Sequence, residues 1–132
     1  MDHFDELENK FFYLTKIWQS AEVCQVRVDE HVKLSLAIFR PKQKRQAGLV
    51  LIAPGRGEIM TKYGEVINEL LSLGIAVAVY DHRGQGFSSA LLNDKRVGYV
   101  DSFDDYVNDF GIITSFLRNK KRFKIINVVA HS

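Results

Sequence analysis

Residues 126–132 read INVVAHS, an apolar run that ends in a small residue, a histidine and a serine. Two earlier stretches have a similar form: AGLVLIAPG at 47–55 and GIAVAVYD at 74–81. Short apolar runs that end at a turn or a polar residue are typical of strands buried on both faces, as in a parallel sheet covered by helices. The three runs predict parallel strands at about residues 48–53, 75–80 and 124–130.

Helices are predicted before and between these strands, because apolar residues recur there at steps of three and four. The segment 62–74 ends at Gly74, and glycine is a common C-terminal cap. Ser102 and Asp105 have the spacing of a capping box. Alternating apolar residues within 22–40 predict a hairpin. The three predicted apolar helix faces are Phe4, Leu7, Phe11, Leu14 and Trp18; Tyr63, Val66, Ile67, Leu70 and Leu71; and Phe103, Tyr106, Val107, Phe110 and Leu117.

The order strand, helix, strand, helix, strand is the pattern of an α/β domain. With 132 residues, 46% of them hydrophobic, the chain is long enough for one domain with its own core. We therefore predict an α/β fold with a mostly parallel sheet and flanking helices.

The composition disfavours several classes of protein. Basic and acidic residues nearly balance, 18 against 16, whereas nucleic-acid binders are usually far more basic, so we expect no nucleic-acid partner. The single Cys24 excludes a disulfide within these residues and fits a reducing compartment. The opening MDHFDELENK lacks the basic start of a signal peptide, and no apolar run is long enough to span a bilayer. We expect a cytoplasmic globular protein.

Two basic stretches, RPKQKRQ at 40–46 and RNKKRFK at 118–124, each lead into a predicted parallel strand. They should therefore lie at the amino-terminal edge of the sheet, whereas ligands of such sheets gather at the carboxyl edge. We interpret them as solvated loops, with a lipid or phosphate surface as the less favoured alternative.

Three turns follow the carboxyl ends of the predicted strands: APGRGE, DHRGQGFSS and AHS. A serine that ends a buried strand after a small residue, as Ser132 does after Ala130, fits the first half of a G-x-S-x-G nucleophile elbow. The glycine-rich PGRGE turn can direct a backbone N–H at such a reaction centre, although a turn of this kind often does no more than connect two elements.

The DHRGQGFSS turn nearly matches the dinucleotide fingerprint G-x-G-x-x-G, but Ser89 occupies the place of the third glycine. The fingerprint also belongs in the first strand–turn–helix unit, which here contains PGRGE, so nucleotide binding is disfavoured. We interpret His82, between Asp81 and Arg83, as a member of a hydrogen-bond network and not as a general base.

Taken together, PGRGE, YDHRGQGFS and VVAHS resemble the α/β-hydrolase superfamily, most closely the bacterial lysophospholipases of the L-two type, relatives of monoacylglycerol lipases. The resemblance implies that residues 1–132 form a partial, N-terminal α/β-hydrolase domain in which the later strands and the acid and histidine loops are absent. It also implies a strand order of hairpin, 74–80, 47–53 and 124–130.

The resemblance assigns a role to residues in each turn. Ser132 falls on the nucleophile, and the backbone N–H of Arg56 falls on an oxyanion donor. Pro54-Gly55 replaces the family's His-Gly pair, which favours a lysophospholipase over a monoacylglycerol lipase. The supporting residues of the oxyanion loop are Gly55 and Gly57, and those of the structural loop are Asp81, His82, Arg83, Gly84 and Gly86.

The implied function is that of a serine esterase, without metal or cofactor, that hydrolyses the acyl ester of a lysophospholipid. A monoacylglycerol-like substrate, a proline-type aminopeptidase and a non-catalytic module with the same scaffold stay open. So does peripheral contact with the inner face of the cytoplasmic membrane. For the 132 residues alone we expect no esterase activity, because Ser132 has no partnered base. We also expect self-association through KIINVVA as an exposed edge strand.

Overall fold

The computed structural model of the chain describes residues 16–42, 48–88, 103–124 and 126–131. Of the predicted features, most of the first helix face, the Ser102 cap and Ser132 lie outside these residues. The elements are β1 (Glu22–Arg27), β2 (Lys33–Phe39), β3 (Leu49–Ala53), a 3-10 turn (Met60–Tyr63), α1 (Gly64–Ser72), β4 (Ala76–Tyr80), α2 (Phe103–Asn119) and β5 (Ile126–Ala130).

The five strands form one mixed sheet in the order β1-β2-β4-β3-β5. β1 pairs antiparallel with β2, and β2 pairs antiparallel with β4. β3 lies between β4 and β5 and runs parallel to both, with Leu51 opposite Ala78 on one side and Val128 on the other. The predicted strand order and the predicted parallel direction of β3, β4 and β5 are confirmed.

The sheet has a hydrophobic cluster on each face, because neighbouring residues of a strand point to opposite sides. On β2, Leu36 packs in the cluster that contains Ile113 of α2, whereas Ala37 packs in the cluster that contains Ile67 of α1. The second cluster also holds Trp18, whose ring meets Phe39 edge-on at 5.1 Å between centroids. β3 and β4 are therefore covered on both faces, as their continuous apolar runs predicted.

β5 differs from β3 and β4 in its exposure. It lies at the edge of the sheet, and Val128 and Val129 are 45% and 56% exposed.

Among the described residues, no helix is long and apolar enough to cross a membrane.

Helix α1 ends as the sequence predicted. Gly74 has a φ of 81°, its N–H donates to the Leu71 carbonyl, and the Ile75 N–H donates to the Leu70 carbonyl. This pair of bonds is the Schellman arrangement that glycine favours. The predicted face is wrong in one member, because Val66 is 47% exposed while Ile67 is fully buried.

Helix α2 forms where it was predicted, and Leu117 is buried and Phe110 packs against the core as expected, but two members of the predicted face are exposed. Phe103 and Val107, expected on the buried face, are 75% and 55% exposed. The buried residues are Asp109, Ile113 and Leu117, which follow one another at steps of four. Apolar periodicity cannot predict that an acid such as Asp109 is buried, and its buried partner is described below.

The basic stretches lie at the amino-terminal edge of the sheet, as predicted. Glu22 joins them, because it pairs with Arg40 from one stretch and Lys121 from the other. Arg40 also lies over the Phe123 ring, 5.5 Å from its centroid. Arg40 and Lys121, whose side chains are 42% and 24% exposed, therefore form surface ion pairs within these loops, whereas residues 43–46 lie outside the described residues.

Candidate active site

The three turns that follow β3, β4 and β5 meet at the carboxyl edge of the sheet. The His131 N–H donates to the Ala53 carbonyl at 3.1 Å, which continues the β3–β5 pairing by one residue. His82 Nε2 lies 2.6 Å from the Pro54 carbonyl. Because a carbonyl oxygen only accepts, His82 carries its proton on Nε2. The predicted convergence of the three turns is confirmed.

The PGRGE turn is held by side chains on both sides of Arg56. Before it, the Gly55 N–H donates to Glu58 Oε1 at 2.6 Å, and the Glu58 N–H returns a bond to the Gly55 carbonyl at 3.1 Å. After it, the Gly57 N–H donates to Gln85 Oε1 at 2.6 Å. The structure thus places Arg56, the predicted oxyanion donor, in an exposed turn whose flanking peptides are fixed.

Both glycines of this turn are required, for different reasons. At Gly55 a Cβ would lie 2.7 Å from Glu58 Oε1 and 3.2 Å from both His131 Nδ1 and the His131 carbonyl, so an added side chain would displace Glu58 and His131. At Gly57 there is open space, but φ is 84°, a left-handed conformation that side chains disfavour. A close approach and a sharp reversal therefore define the turn.

Glu58 connects the turn to several neighbouring side chains. Its Oε1 accepts from the Gly55 N–H, from the Tyr63 hydroxyl at 2.7 Å and from His131 Nδ1 at 3.0 Å, while Oε2 pairs with Lys62. The bonds from Lys62 and Tyr63, with smaller ones from Gly55 and His131, lower the pKa of Glu58 to about 2. Burial, with a contribution from Glu58, raises the pKa of Tyr63 to about 12.

The loop after β4 is stabilised by Asp81, which is fully buried. Its carboxylate accepts from the backbone N–H groups of Met60 at 2.7 Å and Phe87 at 2.9 Å. The Ser88 hydroxyl donates to the Asp81 carbonyl at 2.7 Å and accepts from the Ser35 N–H at 2.9 Å. Asp81 therefore ties its own loop to the start of the 3-10 turn, and Ser88 ties the loop to β2.

Arg83 joins the same loop to helix α2. Its Nε and Nη2 donate to the two carboxylate oxygens of Asp109 at 2.8 and 2.7 Å, and both side chains are almost fully buried. Asp29 at 3.5 Å and Asp105 at 3.7 Å add further negative charge around the guanidinium. The bond to Asp109 is the main cause that raises the pKa of Arg83.

His82 lies between two aromatic rings. The ring of Tyr80 meets it edge-on at 5.3 Å, and the ring of Tyr106 lies 4.9 Å away. Nδ1 is buried, and no described residue bonds to it. With Nε2 bonded to Pro54, His82 connects the β4 loop to the PGRGE turn. Gly84 and Gly86 lie in the same loop.

The structure also shows three residues at this edge to which the sequence analysis assigned no role: Glu58, Gln85 and Asp109. Glu58 stood in the quoted PGRGE motif, three residues after Gly55, and its bond back to the Gly55 N–H is like the acidic half of a capping box. That spacing could have identified it. Gln85 and Asp109 had no local signal, because their partners lie 28 and 26 residues away along the chain.

Comparison with known protein families matches the part of the chain that contains the three turns. A family model described as serine aminopeptidase, S33, matches residues 44–132. The chain is 36% identical over 96 residues to Lysophospholipase L2 of Escherichia coli strain K12, which covers 73% of this chain and 28% of that protein. It is 32% identical over 102 residues to Probable lysophospholipase L2 of Haemophilus influenzae, covering 77% and 32%.

Solved structures share the fold at lower identity. The ferulic acid complex of Est1E from Butyrivibrio proteoclasticus matches with a TM-score of 0.68 and 17% identity, over 83% of this chain and 42% of that one. A carboxyl esterase from Bacillus coagulans matches with a TM-score of 0.67 and 16% identity, over 83% and 35%. The matched segment thus spans less than half of these structures and less than a third of the curated relatives.

Proposed function

We propose, since the chain belongs to the serine aminopeptidase S33 family of α/β hydrolases, that it is the N-terminal part of an esterase that removes the acyl chain of a lysophospholipid. The observation that carries this proposal is the identity with the two lysophospholipase L2 proteins. The convergence of the PGRGE turn with the end of β5 is a second, geometric support, because a nucleophile and an oxyanion donor must lie together.

In the proposed reaction the Ser132 hydroxyl attacks the ester carbonyl and gives its proton to a histidine that follows later in the chain. The carbonyl oxygen becomes an oxyanion, which accepts a hydrogen bond from the Arg56 N–H. Collapse of this intermediate expels the glycerophosphoryl alcohol, and water then hydrolyses the acyl-serine. A second oxyanion donor would be the N–H of the residue after Ser132.

The fixed peptides on either side of Arg56 support its proposed role. An oxyanion donor must be oriented before the reaction begins, since its reorganisation would cost part of the stabilisation. Here Glu58 and Gln85 hold the peptides on the two sides of Arg56, and the proposed donor is the backbone N–H, which any replacement of the side chain except proline retains. Replacement of the Arg56 side chain should therefore affect the rate less than any change that moves its backbone.

A peptidase is the second candidate, and the description of the matching family favours it. The test is an assay of the full-length protein against lysophosphatidylcholine, a monoacylglycerol and an aminoacyl-arylamide, with Ser132→Ala as the control. We expect hydrolysis of lysophosphatidylcholine that Ser132→Ala abolishes. Cleavage of the arylamide alone would overturn the lipid substrate, cleavage of the monoacylglycerol alone would reassign it, and no cleavage would favour a non-catalytic module.

A further inference from the structure

Glu58 ends the PGRGE turn, and its side chain bonds both to Gly55 within that turn and to His131, the residue before Ser132. The same oxygen, Oε1, accepts from the Gly55 N–H at 2.6 Å and from His131 Nδ1 at 3.0 Å. Its side chain is only 12% exposed, and the Tyr63 hydroxyl supports it from the following helical turn. The two turns that would carry the oxyanion donor and the nucleophile therefore share one acceptor.

The charge of Glu58 decides which partner donates in its contact with His131. With its pKa near 2, Glu58 is ionised at neutral pH and can only accept hydrogen bonds. His131 Nδ1 must then be the donor, so this ring nitrogen carries a proton. The ring is held against the PGRGE turn, where a Cβ on Gly55 would crowd it.

We propose that Glu58 is a positioning residue that holds the oxyanion turn and the end of the nucleophile strand in one fixed relation. Glu58 has no role in binding or in proton transfer. It acts through Gly55 on the peptide that precedes Arg56, and through His131 on the residue adjacent to Ser132. The proposal rests on the proposed function, since it needs a reaction centre between these two turns.

A residue that acts in this way should change the turnover number and leave substrate binding unaltered. Removal of the carboxylate breaks its bonds to Gly55 and His131, and a displacement of about 1 Å at a reacting group can lower a rate about a hundredfold. A residue that only stabilised the fold would instead lower the fraction of active protein. The kinetic constants must therefore be expressed per active site, titrated with a fluorophosphonate.

The experiment compares Glu58→Ala and Glu58→Gln in the full-length protein, with Glu69→Gln as a matched control on the exposed side of α1. We expect Glu58→Ala to lower kcat about a hundredfold with KM within about twofold of the native value. Glu58→Gln keeps an oxygen for the Gly55 N–H and should lose less than about tenfold, and Glu69→Gln should match the native enzyme. A kcat for Glu58→Ala within about threefold of native, or equal losses in both variants, would overturn the proposal.

Two measurements distinguish a failure of the proposed role of Glu58 from a failure of the proposed lysophospholipid substrate. If the native protein cleaves p-nitrophenyl butyrate but not lysophosphatidylcholine, the lysophospholipid assignment fails and the Glu58 comparison is made on the nitrophenyl ester. Independently of activity, 15N spectra of labelled histidine should show the Nδ1–H form of His131 in the native protein and a mixture of both forms in Glu58→Ala. An unchanged His131 signal would overturn the proposed contact between Glu58 and His131, even in a protein with no esterase activity.

Discussion

At the carboxyl edge of the sheet, carboxylates accept hydrogen bonds from backbone N–H groups, whereas at the amino-terminal edge Glu22 pairs with Arg40 and Lys121. Asp81 is fully buried, and its carboxylate is held by the backbone N–H groups of Met60 and Phe87. Glu22 is 37% exposed and its partners are flexible side chains. Carboxylates therefore fix the backbone of the turns at the carboxyl edge, whereas at the amino-terminal edge Glu22 forms ion pairs with side chains at the surface.

The largest effect should come from the buried pair that joins the β4 loop to α2. Asp109→Ala leaves Arg83 buried without its bidentate partner, and breaking such a pair typically costs about 3–5 kcal/mol of the free energy of unfolding. Urea denaturation measures this loss, with Arg118→Ala on the exposed side of the same helix as the control. A loss below about 1 kcal/mol, the value of a surface pair, would show that Asp29 and Asp105 replace Asp109.

A second comparison uses two glycines. Gly57→Ala forces a side chain into a left-handed conformation and should cost about 1–2 kcal/mol. Gly111→Ala lies in helix α2, where nothing lies within 4 Å of the added Cβ, and should stabilise the protein by about 0.5–1 kcal/mol. Thermal and urea unfolding of the two variants should therefore differ in sign, and equal effects would show that the turn tolerates rearrangement.

The pH dependence of stability should separate Glu58 from an ordinary surface acid. The pKa of Glu58 is lowered from 4.5 to about 2 in the folded protein, chiefly by Lys62 and Tyr63 and further by Gly55 and His131. A depressed pKa contributes stability above the unfolded value, and that contribution is lost as the pH falls from about 4.5 towards 2. Unfolding midpoints measured across this range should fall less steeply for Glu58→Gln than for the native protein. Parallel curves would contradict the assigned role of the carboxylate.

The smallest effect is expected at the amino-terminal edge. Lys121 and Arg40 lower the pKa of Glu22, but exposed pairs of this kind contribute at most about 1 kcal/mol. Glu22→Gln should therefore change the free energy of unfolding by less than that amount, and molar salt should remove the difference. A larger, salt-resistant loss would show that the two edges are more alike than their exposure indicates.

Much of the fold could be predicted from local patterns in the sequence. The apolar runs located β3, β4 and β5 to within two residues, and Gly74 located the end of α1. The quoted motifs identified the three turns that the structure brings together. These features depend on periodicity and on backbone conformations that particular residues favour, which act over a few neighbouring positions.

The faces of the helices and the partners at the candidate site were decided by contacts distant in sequence. Phe103 and Val107 appeared as apolar as any core residue, yet α2 turns Asp109 inward because Arg83 is buried beside it. Glu58 and His131 lie 73 residues apart, and no local pattern relates them. A carboxylate takes whichever donors the assembled sheet brings within about 3 Å, so its role emerges only when the strands are in register.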